Sequence, residues 1–276
     1  MPTGRQTPTQ SATFISCTFK NMIGRDVTGS AISFTNIDNG ILTITKCLFD
    51  HCEAKVSQGN GVGGGAMYAK SVSKVDISSS SFLYCLCKTI DNSDGGAIEL
   101  TELSSQPKIS GYIFCFCYAD DDGGGVVIWK CYAFDLFVSS NCRFINCSIP
   151  NGDSNPFYSL AGGLMLWKNN GVFKCSDFLF AYNEGWYGGA YATNVNTDTP
   201  NYPLRFCFFH ANTATYGSDI SFEFYQKAYA TEYFSDCFTT SSTNSVHDHE
   251  NSKDYSDWLP LGASSSLSIL MKENIL

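Results

Sequence analysis

The chain has 276 residues and a formal charge of −9, because 26 Asp and Glu residues outnumber 17 Lys and Arg residues. This acidic balance provides no basic stripe for phosphates, so it argues against nucleic acid as a partner and against attraction to anionic membranes. No apolar run approaches the roughly 20 residues that a membrane helix needs, so we expect no membrane insertion by this chain. The polar start at 1–10 lacks the pattern of a secretory signal, so we expect a fragment and assign no compartment.

Phenylalanine recurs along the chain at spacings of about 30 residues. A period of this size, held over many copies, is the mark of a repeat protein whose units stack on one another. The recurring residues are Phe19, Phe49, Phe82, Phe114, Phe144, Phe180, Phe209 and, as an eighth copy, Phe238.

A step of two small residues followed by an apolar one lies between successive phenylalanines. Examples are Gly64-Gly65-Ala66, Gly95-Gly96-Ala97, Gly124-Gly125-Val126 and Gly162-Gly163-Leu164. The second and fourth residues after the small pair are almost all apolar, which predicts a strand with alternate residues buried. This count places Trp129 and Trp167 in an inward, buried column, although a sugar-stacking platform is the alternative for the pair.

Strands at this period without any helical pattern predict an all-β fold, a parallel β-helix of seven to eight coils. Ankyrin and tetratricopeptide repeats need helices, and propeller blades need more residues per unit. The predicted divisions are a polar segment over 1–11, a β-helix repeat domain over 12–240, and a polar tail with a C-terminal cap over 241–276. Within that cap, Ser264–Ser266 precede apolar residues and predict a short helix.

The third residue after each phenylalanine is Cys in the middle copies and Asn in later ones. Asn183 and Asn212 occupy this column, and stacked asparagines can hydrogen-bond from one coil to the next. The predicted bends between strands are expected to use glycine, which tolerates positive φ and close backbone approach.

The 13 cysteines follow the same repeat. Equivalent placement from coil to coil favours small apolar core residues over a disulfide framework, which stays the alternative. Cys85-Leu86-Cys87 and Cys115-Phe116-Cys117 repeat one coil apart, so zinc is a further hypothesis.

The steps Gly95-Gly96-Ala97-Ile98 and Phe180-Ala181-Tyr182-Asn183 resemble the Gly-Gly-Ala-Ile and Phe-x-x-Asn repeats of the polymorphic membrane proteins of chlamydiae. The Cys-rich character is more similar to related repeat proteins of parasitic protists such as trichomonads. The resemblance covers roughly residues 12–240. It implies a right-handed, pectin-lyase-like β-helix that is displayed at a cell surface and used in adhesion.

Acidic residues and histidines matter for function because many β-helices act on polysaccharides. Asp91 with Asp94, and the run Asp120–Asp122, precede glycine steps and are interpreted as solvated turns, with weak calcium binding by the run as the alternative. The run His247–Glu250 is interpreted as part of the polar tail. We therefore assign no catalytic, cofactor-binding or metal-binding residue and expect no cofactor.

These patterns favour a non-enzymatic repeat scaffold that binds a protein or glycan on a host or neighbouring cell surface. The alternative is a carbohydrate-active, pectin-lyase-like enzyme whose site is degenerate or unrecognised.

Overall fold

A computed structural model of the chain describes residues 10–56, 62–89, 93–105, 107–131, 136–149, 161–167, 172–194, 204–223, 234–235, 237–240, 246–248 and 253–255. Across these ranges the fold is all-β and contains no helix, hence none that is long and apolar enough to cross a bilayer. The strands are β1 (Ser11–Ile15), β2 (Thr18–Lys20), β3 (Ile23–Arg25), β4 (Ile32–Thr45), β5 (Leu48–Asp50), β6 (Glu53–Val56), β7 (Val62–Gly63), β8 (Met67–Ser78), β9 (Ser81–Leu83), β10 (Leu86–Thr89), β11 (Ser93–Asp94), β12 (Ile98–Thr101), β13 (Lys108–Ser110), β14 (Ile113–Cys115), β15 (Tyr118–Ala119), β16 (Val126–Trp129), β17 (Leu136–Ser140), β18 (Arg143–Ile145), β19 (Leu164–Trp167), β20 (Val172–Ser176), β21 (Leu179–Ala181), β22 (Glu184–Tyr187), β23 (Tyr191–Asn194), β24 (Leu204–Arg205), β25 (Phe208–His210), β26 (Thr213–Tyr216), β27 (Ile220–Glu223), β28 (Phe234–Ser235), β29 (Phe238–Thr239), β30 (Val246–Asp248) and β31 (Lys253–Tyr255).

The strands stack in parallel into the sheets of a β-solenoid, as the repeat predicts. One eight-stranded sheet, here called the Phe sheet, runs β2-β5-β9-β14-β18-β21-β25-β29. A 15-stranded sheet, the large sheet, covers two sides of the solenoid because β4 and β8 bend from one side to the other. A further side is built by β3, β6, β10 and β15, and then by β22 and β26, and it is here called the third side because it follows the Phe sheet and the large sheet.

The solenoid has about five turns, fewer than the seven to eight coils that the period predicts. The Phe sheet itself has eight strands, but the third side is interrupted. Between β15 and β22 it is reduced to isolated bridges through Ser148.

The recurring phenylalanines form a continuous stack inside the solenoid. Phe49 and Phe82 are fully buried and parallel, with ring centroids 4.5 Å apart, and the stack continues with spacings of 5.1 Å, 4.8 Å, 5.1 Å and 5.1 Å to Phe209. The eighth copy departs from the prediction. Phe238 pairs with Phe208 and is 42% exposed, whereas Thr239 pairs with Phe209 and takes the interior position.

The bends that flank the Phe sheet use left-handed backbone, but mostly without glycine. The residues after the Phe strands have φ between 47° and 58°, and they are Asn21, His51, Tyr84, Phe116, Asn146, Tyr182 and Ala211. The amide at each of the first six bends donates to a carbonyl one coil away, as Tyr84 does to Cys115 at 2.9 Å, and the amide of Ala211 donates to the hydroxyl of Thr240 at 3.2 Å. The inter-coil hydrogen bond therefore helps to hold a conformation that non-glycine residues rarely adopt.

The register of the large sheet differs by one residue from the predicted alignment in two coils. Ile98 pairs with Val126, which in turn pairs with Leu164. Among three successive glycines, Gly123 adopts the left-handed conformation that Gly95 adopts in the preceding coil, and Ala161 does so in the next. The predicted inward placement of Trp129 and Trp167 is therefore wrong, because both residues lie on the outer face.

The large sheet extends beyond the predicted boundary at residue 240. Strand β30 pairs in parallel with β27, and β31 returns antiparallel to β30. His247 and Asp248 thus belong to a strand and not to the predicted polar tail. The predicted helical cap lies outside the described residues.

Candidate functional site

An exposed row of aromatic rings follows the edge between the Phe sheet and the third side. The rings of His51 and Tyr84 stack with centroids 4.7 Å apart, and those of Tyr84 and Phe116 stack at 5.0 Å and 2°. Tyr84 is 43% exposed and Phe116 is 45% exposed. We call these three residues the aromatic ladder.

A contact with the carboxylate of Asp50 holds the first member of the ladder. His51 Nδ1 lies 2.6 Å from an oxygen of Asp50, whose other oxygen accepts from Lys20 Nζ at 3.0 Å. The hydrogen bonds from Lys20 and then His51 lower the pKa of Asp50. The imidazole is therefore held in the plane that continues the stack.

Two coils further on, the same edge carries a second aromatic contact. The rings of Tyr182 and His210 meet edge to face at 5.0 Å, and Tyr182 Oη lies 3.0 Å from His210 Nε2. His210 Nδ1 lies 3.0 Å from the hydroxyl of Thr240. Partial burial lowers the pKa of His210, so the neutral ring is the favoured form in this bridge.

Inside the solenoid, cysteine thiols and asparagine amides perform the same structural role. Cys52, Cys85, Cys117 and Cys147 each donate from Sγ to the carbonyl of the phenylalanine one coil earlier, at 3.5–3.8 Å. Asn183 and Asn212 donate to the equivalent carbonyls at 3.0 Å and 3.1 Å. The two asparagines are also linked directly at 2.9 Å, which is the inter-coil hydrogen bond that the sequence predicts.

All thirteen cysteines are free thiols, and eleven of them are buried. Burial raises the pKa of Cys85 and Cys147, and neighbouring thiols act in the same direction, so these side chains stay protonated donors. This placement supports the interpretation of the cysteines as core residues.

The zinc hypothesis fails on register. Strand β10 pairs with β15 so that Cys87 faces Ala119, while Cys115 faces Leu83 on the Phe sheet. Of the four thiols in the two Cys-x-Cys pairs, only Cys85 and Cys117 share a column.

An acidic cluster lies where β7, β11 and the bridge at Asp122 follow one another. Asp94 pairs with Gly63 on one side and with Asp122 on the other. One oxygen from each of Asp94, Asp121 and Asp122 lies within 4.8 Å of the others. Asp94 and Asp122 are only 8% exposed, so the interpretation of these residues as solvated turns is wrong.

Burial has a clear electrostatic effect in this cluster. It raises the pKa of Asp94 to about 7, and the nearby charge of Asp121 adds to the shift. Burial and then Asp120 raise the pKa of Asp121 to about 6. Asp94 and Asp122 are far apart in the sequence and were not predicted to meet. Both directly precede a left-handed glycine, Gly95 and Gly123, and this shared position in the repeat is the signal that could have predicted their stacking.

The outer face of the large sheet carries a second apolar cluster. Val127 and Met165 are almost completely buried there, and Trp129 and Trp167 pack against them half-buried. The two tryptophans therefore form neither the buried interior stack nor the fully exposed sugar-stacking platform that the sequence left as alternatives.

A small open pocket lies further along the third side. It is lined by Ile149, Glu184, Gly185, Trp186 and the segment 213–215. Glu184 is the one carboxylate among these lining residues, so the pocket and the acidic cluster are separate features. Comparisons with protein families, with curated proteins and with solved structures found no match to this chain.

Proposed function

We propose that this chain is a non-enzymatic scaffold, displayed at a cell surface, that binds a protein or glycan partner through the edge carrying the aromatic ladder. In this proposal the solenoid is right-handed and pectin-lyase-like, as the resemblance to the polymorphic membrane proteins implies. The resemblance is also the support for surface display and adhesion.

The observation that carries the proposal is the exposure of aromatic rings at left-handed bends. Asn21 and Asn146 occupy the same column with the same backbone, and asparagine tolerates this conformation better than an aromatic residue does. Tyr84 and Phe116 therefore introduce backbone strain and expose apolar surface at positions where asparagine would also form the bend. Such residues are typical of interaction surfaces.

The carbohydrate-active enzyme remains the alternative, and the geometry favours it less. Glycoside hydrolysis needs two carboxyl groups that flank the sugar bond. Asp94 and Asp122 are almost completely buried, and the pocket on the third side offers Glu184 alone from its lining.

The decisive experiment replaces two residues of the aromatic ladder with asparagine, the residue found at the equivalent bends of other coils. The double variant Tyr84→Asn/Phe116→Asn should fold cooperatively, with a melting temperature within about 5 °C of the parent chain's. Binding of fluorescently labelled protein to an epithelial cell monolayer and to a glycan array should be saturable for the parent and at least tenfold weaker for the variant.

The matched control is Ile15→Thr, which removes an exposed apolar side chain, 62% exposed, from a different part of the solenoid. Binding that is absent in the parent, or equal in parent and ladder variant, would overturn the proposal. Release of new reducing ends from polysaccharides on the same array would support the enzyme instead.

A further inference from the structure

The acidic cluster has a geometry that its backbone imposes. The amide of Gly64 donates to Asp94 O and the amide of Gly95 donates to Asp122 O, both at 2.8 Å. These hydrogen bonds stack the residue before each left-handed glycine on its counterpart in the next coil. Two carboxylates are thereby held in adjacent coils, and Asp121 adds a third from the neighbouring position.

A fourth carboxylate closes the cluster from the outer face of the large sheet. A Cβ built on Gly63 would lie 1.0 Å from an Oε2 oxygen of Glu99, so the Glu99 carboxylate occupies the space that a side chain at residue 63 would fill. Asp94 is the strand partner of Gly63, and its charge helps to raise the pKa of Glu99 after burial. Glycine at position 63 thus makes room for another acidic group.

One carboxylate oxygen of the cluster lacks a hydrogen-bond donor. Asp94 Oδ1 is buried and accepts no hydrogen bond, and the residue as a whole is only 8% exposed. A buried carboxylate oxygen without a donor costs free energy, whereas a bound cation would supply the missing positive charge.

We propose that Asp94, Asp121 and Asp122 bind a calcium ion, with Glu99 as the adjacent carboxylate. Calcium accepts several hard oxygen ligands at about 2.3–2.6 Å in flexible geometry, which suits three oxygens that lie within 4.8 Å of one another. The three groups supply no nitrogen or sulfur ligand of the kind that zinc prefers. The ion would tie the coil of β11 to the next coil, and this inference is independent of the binding partner proposed above.

The test uses the full chain with calcium and with terbium, whose luminescence is sensitised by nearby aromatic side chains. The melting temperature should rise on adding millimolar calcium and fall back with a chelator. Terbium luminescence should saturate and should be displaced by calcium with a dissociation constant of roughly 10⁻⁴–10⁻³ M.

The variants Asp94→Asn and Asp122→Asn should each weaken calcium binding at least tenfold. In chelator, Asp94→Asn should melt at or above the temperature of the parent, because it removes a buried like charge; this distinguishes a lost site from a lost fold. The control Asp38→Asn changes an exposed carboxylate elsewhere and should leave binding intact. Absence of saturable binding, an equal response to magnesium, or binding that survives Asp94→Asn would overturn the proposal.

Discussion

The side-chain amide of Asn183 donates to Phe144 O at 3.0 Å and to Asn212 Oδ1 at 2.9 Å, while its own oxygen accepts from Cys147 N at 2.9 Å. One buried side chain therefore joins three coils. Asn212 continues the chain of hydrogen bonds to Asp219, which also accepts from Thr239.

Replacing Asn183 with Leu should lower the free energy of unfolding by about 3 kcal/mol, because Phe144 O and Cys147 N lose their partner inside the core. Asn183→Cys should cost less, since a thiol donates to the equivalent carbonyl in four other coils. Urea titration followed by circular dichroism measures both. Asn141→Asp, which keeps a residue suited to left-handed backbone at an exposed bend, is the control, and equal losses at positions 141 and 183 would refute the role of the buried asparagine hydrogen bonds.

Phe114 in the interior stack can be compared with Phe116, the exposed residue at the bend that follows the same strand. Phe114→Ala should cost about 3–5 kcal/mol, because it leaves a cavity between two stacked rings. Phe116→Asn should cost less than about 1 kcal/mol, since it loses one exposed ring contact and gains a residue suited to left-handed backbone. Thermal and chemical denaturation should rank the two variants in this order; the reverse order would contradict the assigned interior.

The coils approach each other closely at one glycine and leave room for a side chain at another. A Cβ at Gly96 would meet Gly124 O at 2.1 Å, so Gly96→Ala should destabilise the chain by more than about 3 kcal/mol. A Cβ at Gly111 has no contact nearer than 3.7 Å, and Asn141 adopts the same bend one coil later. Gly111→Asn should therefore keep the parent's unfolding midpoint, and a large loss there would show that the bend has a different requirement.

Acid should weaken the bridge through His210. The pKa of this histidine is lowered in the folded state, so its contribution is complete above the unfolded pKa and is lost as the pH falls through the folded value. The pH values 7.5 and 5 bracket the unfolded pKa of histidine, about 6.5. Between them, the unfolding midpoint of the parent should drop more than the unfolding midpoint of His210→Gln. Identical pH profiles in the two proteins would exclude this role.

Thiol reactivity should follow burial. Cys17 and Cys115 are the two half-buried cysteines, so brief alkylation of the native chain followed by peptide mass spectrometry should find them modified first. After unfolding without reductant, all thirteen should react. A shortfall would reveal disulfides and an oxidising compartment.

Much of the interior follows from the sequence because a stacked repeat places equivalent residues in one column. The Phe49–Phe82 stack and the Asn183–Asn212 hydrogen bond both follow from this rule. Local composition fails where it leaves the register open: three glycines at 123–125 permit two alignments, and only the pairing of Val126 with Ile98 decides that Trp129 faces outward.

The bends and the acidic cluster were harder to predict for a different reason. Propensity assigns left-handed backbone to Gly or Asn, yet Tyr84 and Phe116 adopt it because an inter-coil hydrogen bond compensates. Asp94 and Asp122 are 28 residues apart and meet through the stacking of two coils. Both features depend on the neighbouring coil, which no local window of sequence contains.

The bends beside the Phe sheet also determine where this protein can change in length. On both sides of each Phe strand from β2 to β25 a single left-handed residue makes the corner, so an inserted residue there would shift every stacked ring. By contrast, the number of residues between a strand of the third side and the next strand of the large sheet varies: it is ten between β6 and β8, eight between β10 and β12, and six between β15 and β16. Evolution, or an engineer grafting peptides, can therefore vary the loops along those borders while the register of the interior stays constant.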